Sequence, residues 1–555
     1  MGAAAAPEGA VSPSDADAAH EPWWRRHAVL IALAGAYLFI FPYFAALENP
    51  NENVRVWATR AIAHYGSSDL APVIRDWGNV TDTAAVGGVR YSSKAPGTTL
   101  FGVPVHFLHD LCARLVLGRS PSIAASVYLL RVTTVILPLL AFYWFFARRV
   151  FAETGSRFAR DLLTLSLGLG TMMYPYGLAF VGHAQSAALL AAGVMLLLPP
   201  IDHRRGTGAP SPRTLVQAGA LVGLSVFFEY QSLFAAVAVA VFAAVRERRR
   251  AIYFLGGAAL PGAALGVYHT WLFGRPWELP YSHLDDPGYV LYHHTQGFLG
   301  LGQPRLRVLG SALVSVDYGL FVYAPIVAAG LATAAALALL PARAARPAPL
   351  PGRIAGARLT LVVAALMLTF LSGMANWRGG WCAAGPRYIA VVVPLALLAI
   401  AWSWRTLCAP QPALQVGLGA LGFYGVGVCA LSGLFPHFPV QLRNPVFDLV
   451  WPLLRAGYVP HGIGTAFGVH GALALVPWFV AIGVGVAAVV RDAPFGGKGG
   501  IAAAAAGLAL LVGLSAFGNH DSFESRRVRH VIAGMWEPLS PSLGAMPAPE
   551  DHGYP

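Results

Sequence analysis

Residues 28–47 read AVLIALAGAYLFIFPYFAAL, an apolar run without a single charged side chain. A helix needs about 20 such residues to cross a bilayer. Arg25 and Arg26 come shortly before the run, and no small-residue cleavage motif follows it. The run therefore predicts an uncleaved first membrane helix whose start is held in the cytoplasm by the two arginines.

Further apolar runs of similar length follow along the chain, separated by short breaks. With the first run they predict about thirteen membrane helices, and hence an all-α membrane protein. The predicted spans after the first are 121–147, 161–179, 183–200, 214–229, 230–246, 251–273, 312–340, 358–375, 388–404, 413–434, 466–490 and 500–518.

The composition agrees with a protein surrounded by lipid. Hydrophobic residues make up 56% of the chain and charged residues only 12%, about half the charged share of a soluble domain. The net charge of +12 comes from arginine clusters at the ends of apolar runs, as the positive-inside rule expects. This distribution favours membrane lipids as partners and argues against a nucleic-acid partner. The four cysteines form no CxxC pair or metal-binding spacing.

Alternation of the predicted spans places nearly all of the basic connecting segments on one side. The N-terminal tail 1–27 is therefore predicted to be cytoplasmic, followed by a transmembrane domain over 28–518 and an extracytoplasmic tail over 519–555. The predicted setting is the bacterial inner membrane. The other outer segments are 48–120, 274–311, 376–387 and 435–465.

The first outer loop, residues 48–120, is the longest of these outer segments. Its polar start is followed by a helical stretch over 54–65 with one apolar side, and then by a turn-rich section over 66–88. A second apolar helix is predicted over 98–117. Both helices are expected to lie in the membrane interface.

Several ionisable residues fall at the outer ends of predicted spans, where such side chains are costly and often functional. Glu48 and Glu52 could equally be solvated loop acids matched to a helix dipole. Glu229 lies among apolar neighbours and is expected to pair with a rim arginine or histidine, either structurally or in a substrate cavity. His183 has a packing role as its alternative. The full set is Glu48, Glu52, His183, Glu229, His269, Asp317 and Arg387.

Two further segments have residues suited to an anionic or sugar ligand. Lys94 lies between serines and a Pro-Gly turn, where its ammonium group could meet a phosphate; snorkelling to the interface is the alternative. The loop 376–388 combines tryptophans, arginines and glycines, and Trp381 and Arg387 within it suggest an aromatic platform with an arginine clamp.

Taken in order, these residues resemble the bacterial GT-C-type glycosyltransferases that use lipid carriers, relatives of the protein O-mannosyltransferases and the lipid A aminoarabinose transferase. The resemblance covers about residues 28–490. The motifs on which it rests are Pro50-Asn51-Glu52-Asn53, Tyr91-Ser92-Ser93-Lys94-Ala95-Pro96-Gly97, Tyr174-Pro175-Tyr176 with Gly182-His183-Ala184, Phe228-Glu229-Tyr230, Phe273-Gly274-Arg275-Pro276, and Trp381 with Gly385-Pro386-Arg387-Tyr388.

The resemblance implies a GT-C-like bundle with an extracytoplasmic active site under the first outer loop. A sugar would pass, with inversion, from a polyprenyl phosphate to a hydroxyl group of a lipid, glycan or protein acceptor. Asn51 stands where relatives carry an aspartate, so Glu52 is the first candidate for the base and Glu48 the second. The expected substrate-binding residues are Asn51, Asn53, Tyr91, Lys94, His183, Glu229, Tyr230, Trp381, Arg387 and Tyr388.

Two other functions fit the same rim charges. A transporter or flippase of lipid-linked glycans would show paired hydrophobic halves, which the sequence lacks, and a non-catalytic relative of the same fold is the other alternative. No cofactor is firmly predicted. A divalent metal is possible, because the first outer loop holds oxygen and nitrogen donors, although solvated loop residues are the simpler explanation. These donors are Asp69, Asp76, Asp82, His106 and His109.

Overall fold

The computed structural model describes residues 22–43, 49–199, 209–294, 297–340, 350–379, 385–436, 442–518 and 522–534. Helices dominate these ranges, as the apolar runs predict. In the first half they are α1 (Trp23–Arg26), α2 (Ala28–Leu38), α3 (Pro50–Tyr65), α4 (Ala71–Trp77), α5 (Gly97–Leu117), α6 (Ile123–Leu130), α7 (Leu137–Thr154), α8 (Arg157–Leu169), α9 (Met173–Gly177), α10 (His183–Leu197), α11 (Pro212–Phe228), α12 (Leu233–Glu247) and α13 (Ala251–Phe273).

The second half continues in the same way. Its α-helices are α14 (Pro287–His294), α15 (Leu306–Val314), α16 (Leu320–Tyr323), α17 (Pro325–Ala338), α18 (Leu350–Gly373), α19 (Val392–Ser403), α20 (Pro412–Leu434), α21 (Trp451–Arg455), α22 (Ile463–Ala466), α23 (Val476–Arg491), α24 (Lys498–Leu514) and α25 (Phe523–Gly534). The π-helical turns are Arg131–Ile136, Trp404–Cys408 and Val446–Val450. The short strands are β1 (Ile40–Phe41), β2 (Thr83–Val86), β3 (Val89–Ser92) and β4 (His461–Gly462).

Within the described ranges, seven helical stretches are long and apolar enough to cross a membrane. The prediction of an all-α membrane protein is confirmed, whereas the number thirteen stays a prediction. The seven are Gly97–Leu117, Ile123–Thr154, Tyr230–Phe273, Pro351–Gly373, Pro412–Leu434, Gly471–Arg491 and Lys498–Phe517. Shorter apolar helices are Ala28–Leu38, His183–Leu197, Pro212–Phe228, Pro325–Ala338 and Val392–Cys408.

The predicted first span over 28–47 is too long. The helix α2 ends at Leu38, and the next residues form β1, which pairs with β4 through Ile40 and Gly462. The pairing supplies backbone hydrogen bonds from outside the helix, and Pro42 could not donate one to a longer helix. An 11-residue helix is about 16 Å long.

Two other predicted spans are broken. The span 161–179 divides into α8 and α9, with Gly170 closing the first helix. The span 312–340 divides into α15, α16 and α17, because the chain turns out of the helix at Ser315 and Pro325 begins a new one. Breaks of this kind leave apolar runs continuous in sequence, so hydropathy alone does not detect them.

The first outer loop has more structure than predicted. The helix predicted over 54–65 is α3, which starts earlier, with Pro50 in its first turn, and packs against α5. The section predicted as turn-rich contains α4 and the hairpin β2–β3, whose two turn glycines, Gly87 and Gly88, both have positive φ. A bridge between Ala84 and Leu284 joins this hairpin to the predicted outer segment 274–311, called the later outer segment below.

Candidate active site

A cavity of about 390 Å³ lies where the first outer loop, the later outer segment and several bundle helices meet. Its wall contains both polar and apolar side chains. The polar residues are Asn49, Asn51, Asp82, Lys94, Tyr230, Gln231, Tyr281, Tyr289, His293, Asn376, Arg387 and Tyr388. The apolar residues include Val226, Leu233, Phe234, Leu265, Leu279, Phe298, Leu299, Leu301, Phe370 and Met374.

Five of the residues predicted from the sequence to bind substrate line this cavity. They come from widely separated parts of the chain, namely the start of α3, the turn after β3, the turn after α11 and the segment before α19. They are Asn51, Lys94, Tyr230, Arg387 and Tyr388. The fold therefore brings half of the predicted substrate-binding set to one cavity.

Lys94 forms an ion pair with Asp82, with 2.5 Å between Nζ and Oδ2. The hairpin explains the contact, because Thr83 pairs with Ser92 and so brings the residues on either side of the strands together. Ser93 also donates from its hydroxyl to Asp82 Oδ1 at 2.9 Å. Burial lowers the pKa of Lys94, while the Asp82 carboxylate counteracts part of that shift.

Arg387 and Tyr388 contribute a second cationic and aromatic part of the wall. The guanidinium carbon of Arg387 lies 5.3 Å from the ring centroid of Tyr388 and 6.0 Å from that of Tyr176. The same guanidinium donates to the carbonyl of Gly379. His183 packs with its ring between Tyr176 and Tyr388, at centroid distances of 5.6 Å and 5.9 Å, and does not line the cavity.

A buried ion pair lies directly behind the wall. Arg55 donates to Glu229 Oε1 at 2.7 Å, so the predicted arginine partner of Glu229 exists. Arg55 also donates to the side chain of Asn51 and, at 3.1 Å, to its carbonyl. Gly182 donates its amide to the same Glu229 oxygen at 3.1 Å. Glu229 does not line the cavity; it is connected through Arg55 to Asn51, which does.

Glu52, the first candidate for the base, is fully buried and does not line the cavity. Arg131 holds it in a bidentate pair, Nε to Oε1 and Nη2 to Oε2, both at 2.6 Å. The amide of Phe180 donates to Oε1 at 2.6 Å, and the side chain of Asn49 donates to Oε2 at 3.3 Å. These four hydrogen bonds fix the carboxylate between α3, the π-turn at Arg131 and the chain before α10.

The remaining predicted residues lie apart from the cavity or outside the described ranges. Glu48 and Trp381 belong to the latter group. Asn53 is buried in α3. Tyr91 pairs with Ala84 in the hairpin and packs edge-on against Phe273 at 6.0 Å.

Three titratable lining residues from the segment 274–311 were not predicted: Tyr281, Tyr289 and His293. The rings of Tyr281 and His293 stack at 5.0 Å, and Lys94 Nζ lies 6.0 Å from the Tyr281 centroid. Burial raises the pKa of Tyr281 and of Tyr289 and lowers that of His293, so all three are neutral near pH 7. No local pattern marked them. Asp82 was considered only as a metal donor, although Gly87-Gly88 is a hairpin signal that would have placed it beside Lys94.

The possible metal donors of the first outer loop do not gather in the described part of the chain, where no three histidine, cysteine, aspartate or glutamate residues are placed to hold an ion. Asp76 accepts from Tyr65 and lies 3.5 Å from Arg60. His106 packs edge-on against Trp77 at 6.1 Å. Of these donors, Asp82 alone lines the cavity.

Comparison of the sequence with protein-family models and with curated proteins finds no match. Among solved structures, ArnT from Cupriavidus metallidurans in the apo state is similar over 88% of this chain and 76% of its own, with 14% identity and a TM-score of 0.41. The same protein bound to undecaprenyl phosphate matches over 89% and 76%, with 13% identity and a TM-score of 0.39.

An archaeal oligosaccharyltransferase, AglB from Archaeoglobus fulgidus in complex with an inhibitory peptide and a dolichol-phosphate, is similar over 76% of this chain, with 11% identity and a TM-score of 0.40. The chain spans 57% of the length of AglB. ArnT is the lipid A aminoarabinose transferase named in the sequence resemblance, so the structures similar to this chain include a protein of that group.

Proposed function

We propose that the protein is a membrane glycosyltransferase that moves a sugar from a polyprenyl-phosphate donor to a hydroxyl group on the extracytoplasmic side, with inversion. The observation that carries the proposal is the cavity, whose wall combines the cations Lys94 and Arg387 with other polar side chains and with many apolar ones. A phosphate carrying a sugar and a lipid chain has an anionic, a polar and an apolar part, each of which matches one of these kinds of side chain. Undecaprenyl phosphate and a dolichol-phosphate are the lipids in two of the similar structures.

The two cations provide the chemistry for the leaving group. Breaking the bond between the sugar and the phosphate develops negative charge on the phosphate oxygen, and fixed cations stabilise that charge without rearranging. Lys94 is fixed by Asp82, and Arg387 by the Gly379 carbonyl and two aromatic rings. We assign both to the donor phosphate, and assign the apolar surface of Leu233, among others, to the first isoprene units.

The sugar would contact other polar side chains of the same cavity. Asn51 offers its side-chain amide, which Arg55 orients, and Tyr230 and Tyr388 offer hydroxyl groups. Arg55 and Glu229 support these residues from behind and are positioning residues. That Glu52 is the base stays a prediction. Its hydrogen bonds with Arg131 also suit a positioning role, because they hold the start of α3 against the bundle.

A transfer assay on the purified protein in liposomes tests the proposal. The donors are decaprenyl phosphates carrying radiolabelled hexoses, pentoses or an aminopentose, and a membrane extract supplies the acceptor. We expect label to leave the carrier and appear in a new product. Lys94→Ala and Arg387→Ala should each lower transfer by about 10²–10³-fold, as loss of a charge-stabilising group does.

Lys498→Ala and Arg114→Ala are the matched controls, since both residues lie away from the cavity, and they should retain transfer. Failure of the wild-type protein to cleave any donor in the panel overturns the proposal. If the carrier nevertheless binds and moves between leaflets, a transporter becomes the better description.

A further inference from the structure

Resting on the proposed function, we propose that Asp82 is the catalytic base that takes the proton from the acceptor hydroxyl. Among the described residues, Asp82 supplies the one carboxylate that lines the cavity. The carboxylates of Glu52 and Glu229 form ion pairs with arginines and do not line the cavity. Proton removal needs a base within hydrogen-bond reach of the acceptor, and of these three acids only Asp82 meets an open space where the acceptor can lie.

The backbone at Asp82 is held in an uncommon conformation. Its φ is 66°, in the left-handed region that non-glycine residues seldom occupy. Residues kept in such conformations are concentrated at functional sites, where the surrounding structure holds them against the strain. Here the surrounding structure is the hairpin, which begins at Thr83 and is joined to the later outer segment by the Thr83–Asp285 hydrogen bond of 2.5 Å. The strained residue aims its side chain at the cavity.

The contacts of Asp82 fix the carboxylate while leaving it room to accept a proton. Ser93 donates to Oδ1 and Lys94 to Oδ2, whereas a carboxylate offers about four acceptor positions. In the described part of the chain, Lys94 Nζ has Asp82 as its hydrogen-bonding acceptor, and an ammonium group has three donors. Lys94 can therefore contact the carboxylate and the donor phosphate together.

The step balances without a further reactant. The acceptor oxygen forms a bond to the anomeric carbon while its proton passes to a carboxylate oxygen of Asp82. The bond from the anomeric carbon to the phosphate oxygen breaks, and its electron pair stays on the phosphate beside Lys94. Polyprenyl phosphate leaves, and Asp82 then returns the proton to water. A single displacement of this kind inverts the anomeric centre.

Azide distinguishes a base from a structural residue, because it is a nucleophile that carries no proton to remove. The experiment uses the reconstituted protein with the decaprenyl-phosphate sugar that the wild-type protein cleaves, and either membrane extract or sodium azide as acceptor. We expect Asp82→Asn to lower transfer to hydroxyl acceptors by about 10²–10⁴-fold while forming glycosyl azide within a few-fold of the wild-type rate. Binding of decaprenyl phosphate should persist, which shows that the variant is folded.

Glu52→Gln is the matched comparison and Ser93→Ala the control for the contacts around the carboxylate. If Asp82 is the base, Glu52→Gln loses both reactions together and Ser93→Ala retains most of both. Hydroxyl transfer near the wild-type rate in Asp82→Asn overturns the assignment, as does equal loss of both reactions. Selective azide rescue of Glu52→Gln would assign the base to Glu52 instead. A wild-type protein that cleaves no donor removes the proposed function and this assignment with it.

Discussion

At the scale of single residues, the distribution of lysine and arginine distinguishes the cavity from the rest of the chain. Of the 38 lysine and arginine residues, only Lys94 and Lys498 are lysines. Arginine stays charged at any accessible pH, whereas a buried lysine shifts its pKa readily. One of the two lysines, Lys94, lines the cavity and lies largely buried beside Asp82, with its side chain 13% exposed, so the cavity contains a cation whose charge depends on its surroundings.

Lys94 should lose its proton at a lower pH than an ordinary lysine. Its pKa is lowered by burial and by Arg55, against the opposing effects of Asp82 and Glu229. Binding of an anionic donor requires the ammonium form, so affinity should fall as pH rises through the lowered pKa of Lys94. Carbon-13 dimethylation of the amines, followed by NMR titration, should show the Lys94 resonance, identified by its absence in Lys94→Arg, titrating at a lower pH than an ordinary lysine.

Lys498→Arg should leave this early resonance in place. Lys94→Arg should move the alkaline loss of decaprenyl-phosphate binding to higher pH, because its guanidinium stays charged. A Lys94 resonance that titrates near the usual pH of a lysine would contradict the lowered pKa of Lys94.

At the scale of secondary-structure elements, the site depends on turns that hold helix starts and ends close together. Gly182 precedes α10 and donates to Glu229, which ends α11. A Cβ at Gly182 would lie 2.3 Å from the carbonyl oxygen of Phe228 and 2.8 Å from Glu229 Oε1. The two turns therefore approach each other so closely that residue 182 has no room for a side chain. This close approach places Glu229 beside Arg55.

Gly182→Ala should therefore destabilise the protein and weaken donor binding. Overpacking costs about 1–3 kcal/mol, and here the atoms that must move belong to the backbone. Gly262→Ala is the control, since a Cβ at Gly262, within α13, meets nothing within 4 Å. Thermal unfolding in detergent should show a lower midpoint for Gly182→Ala alone. Equal midpoints for the two variants would mean that the turns can separate freely.

At the scale of the whole molecule, the sequence predicts helices better than it predicts the site. Apolar length alone indicates helices such as α20 and α13, and the cost of charge near lipid singles out Lys94, Arg387 and Glu229. The breaks around Ser315 follow from packing between distant segments, which periodicity does not record. Likewise, Tyr281 and His293 reach the cavity only because a segment far along the chain packs against the hairpin of the first loop.

The predicted orientation can be tested by accessibility from the two sides of the membrane. In a background lacking the native cysteines, Asn79→Cys lies in the first outer loop and Ala409→Cys lies after α19, and both positions are exposed. A membrane-impermeant maleimide should label Asn79→Cys in intact cells and label Ala409→Cys only after permeabilisation. The reverse pattern would place the N-terminus and the first loop on the opposite sides from those predicted.

The pairing of β1 with β4 has a consequence for biosynthesis. Ile40 pairs with Gly462, and α2 packs against α23, so α2 meets part of its final surroundings only after most of the chain has been synthesised. During that interval the strand β1, which follows α2, has no partner, and unpaired strand edges make partly folded chains prone to aggregation. The helix α23 and the strand β4 thus complete the surroundings of α2 and β1. A chain truncated before them would leave α2 and β1 without these partners.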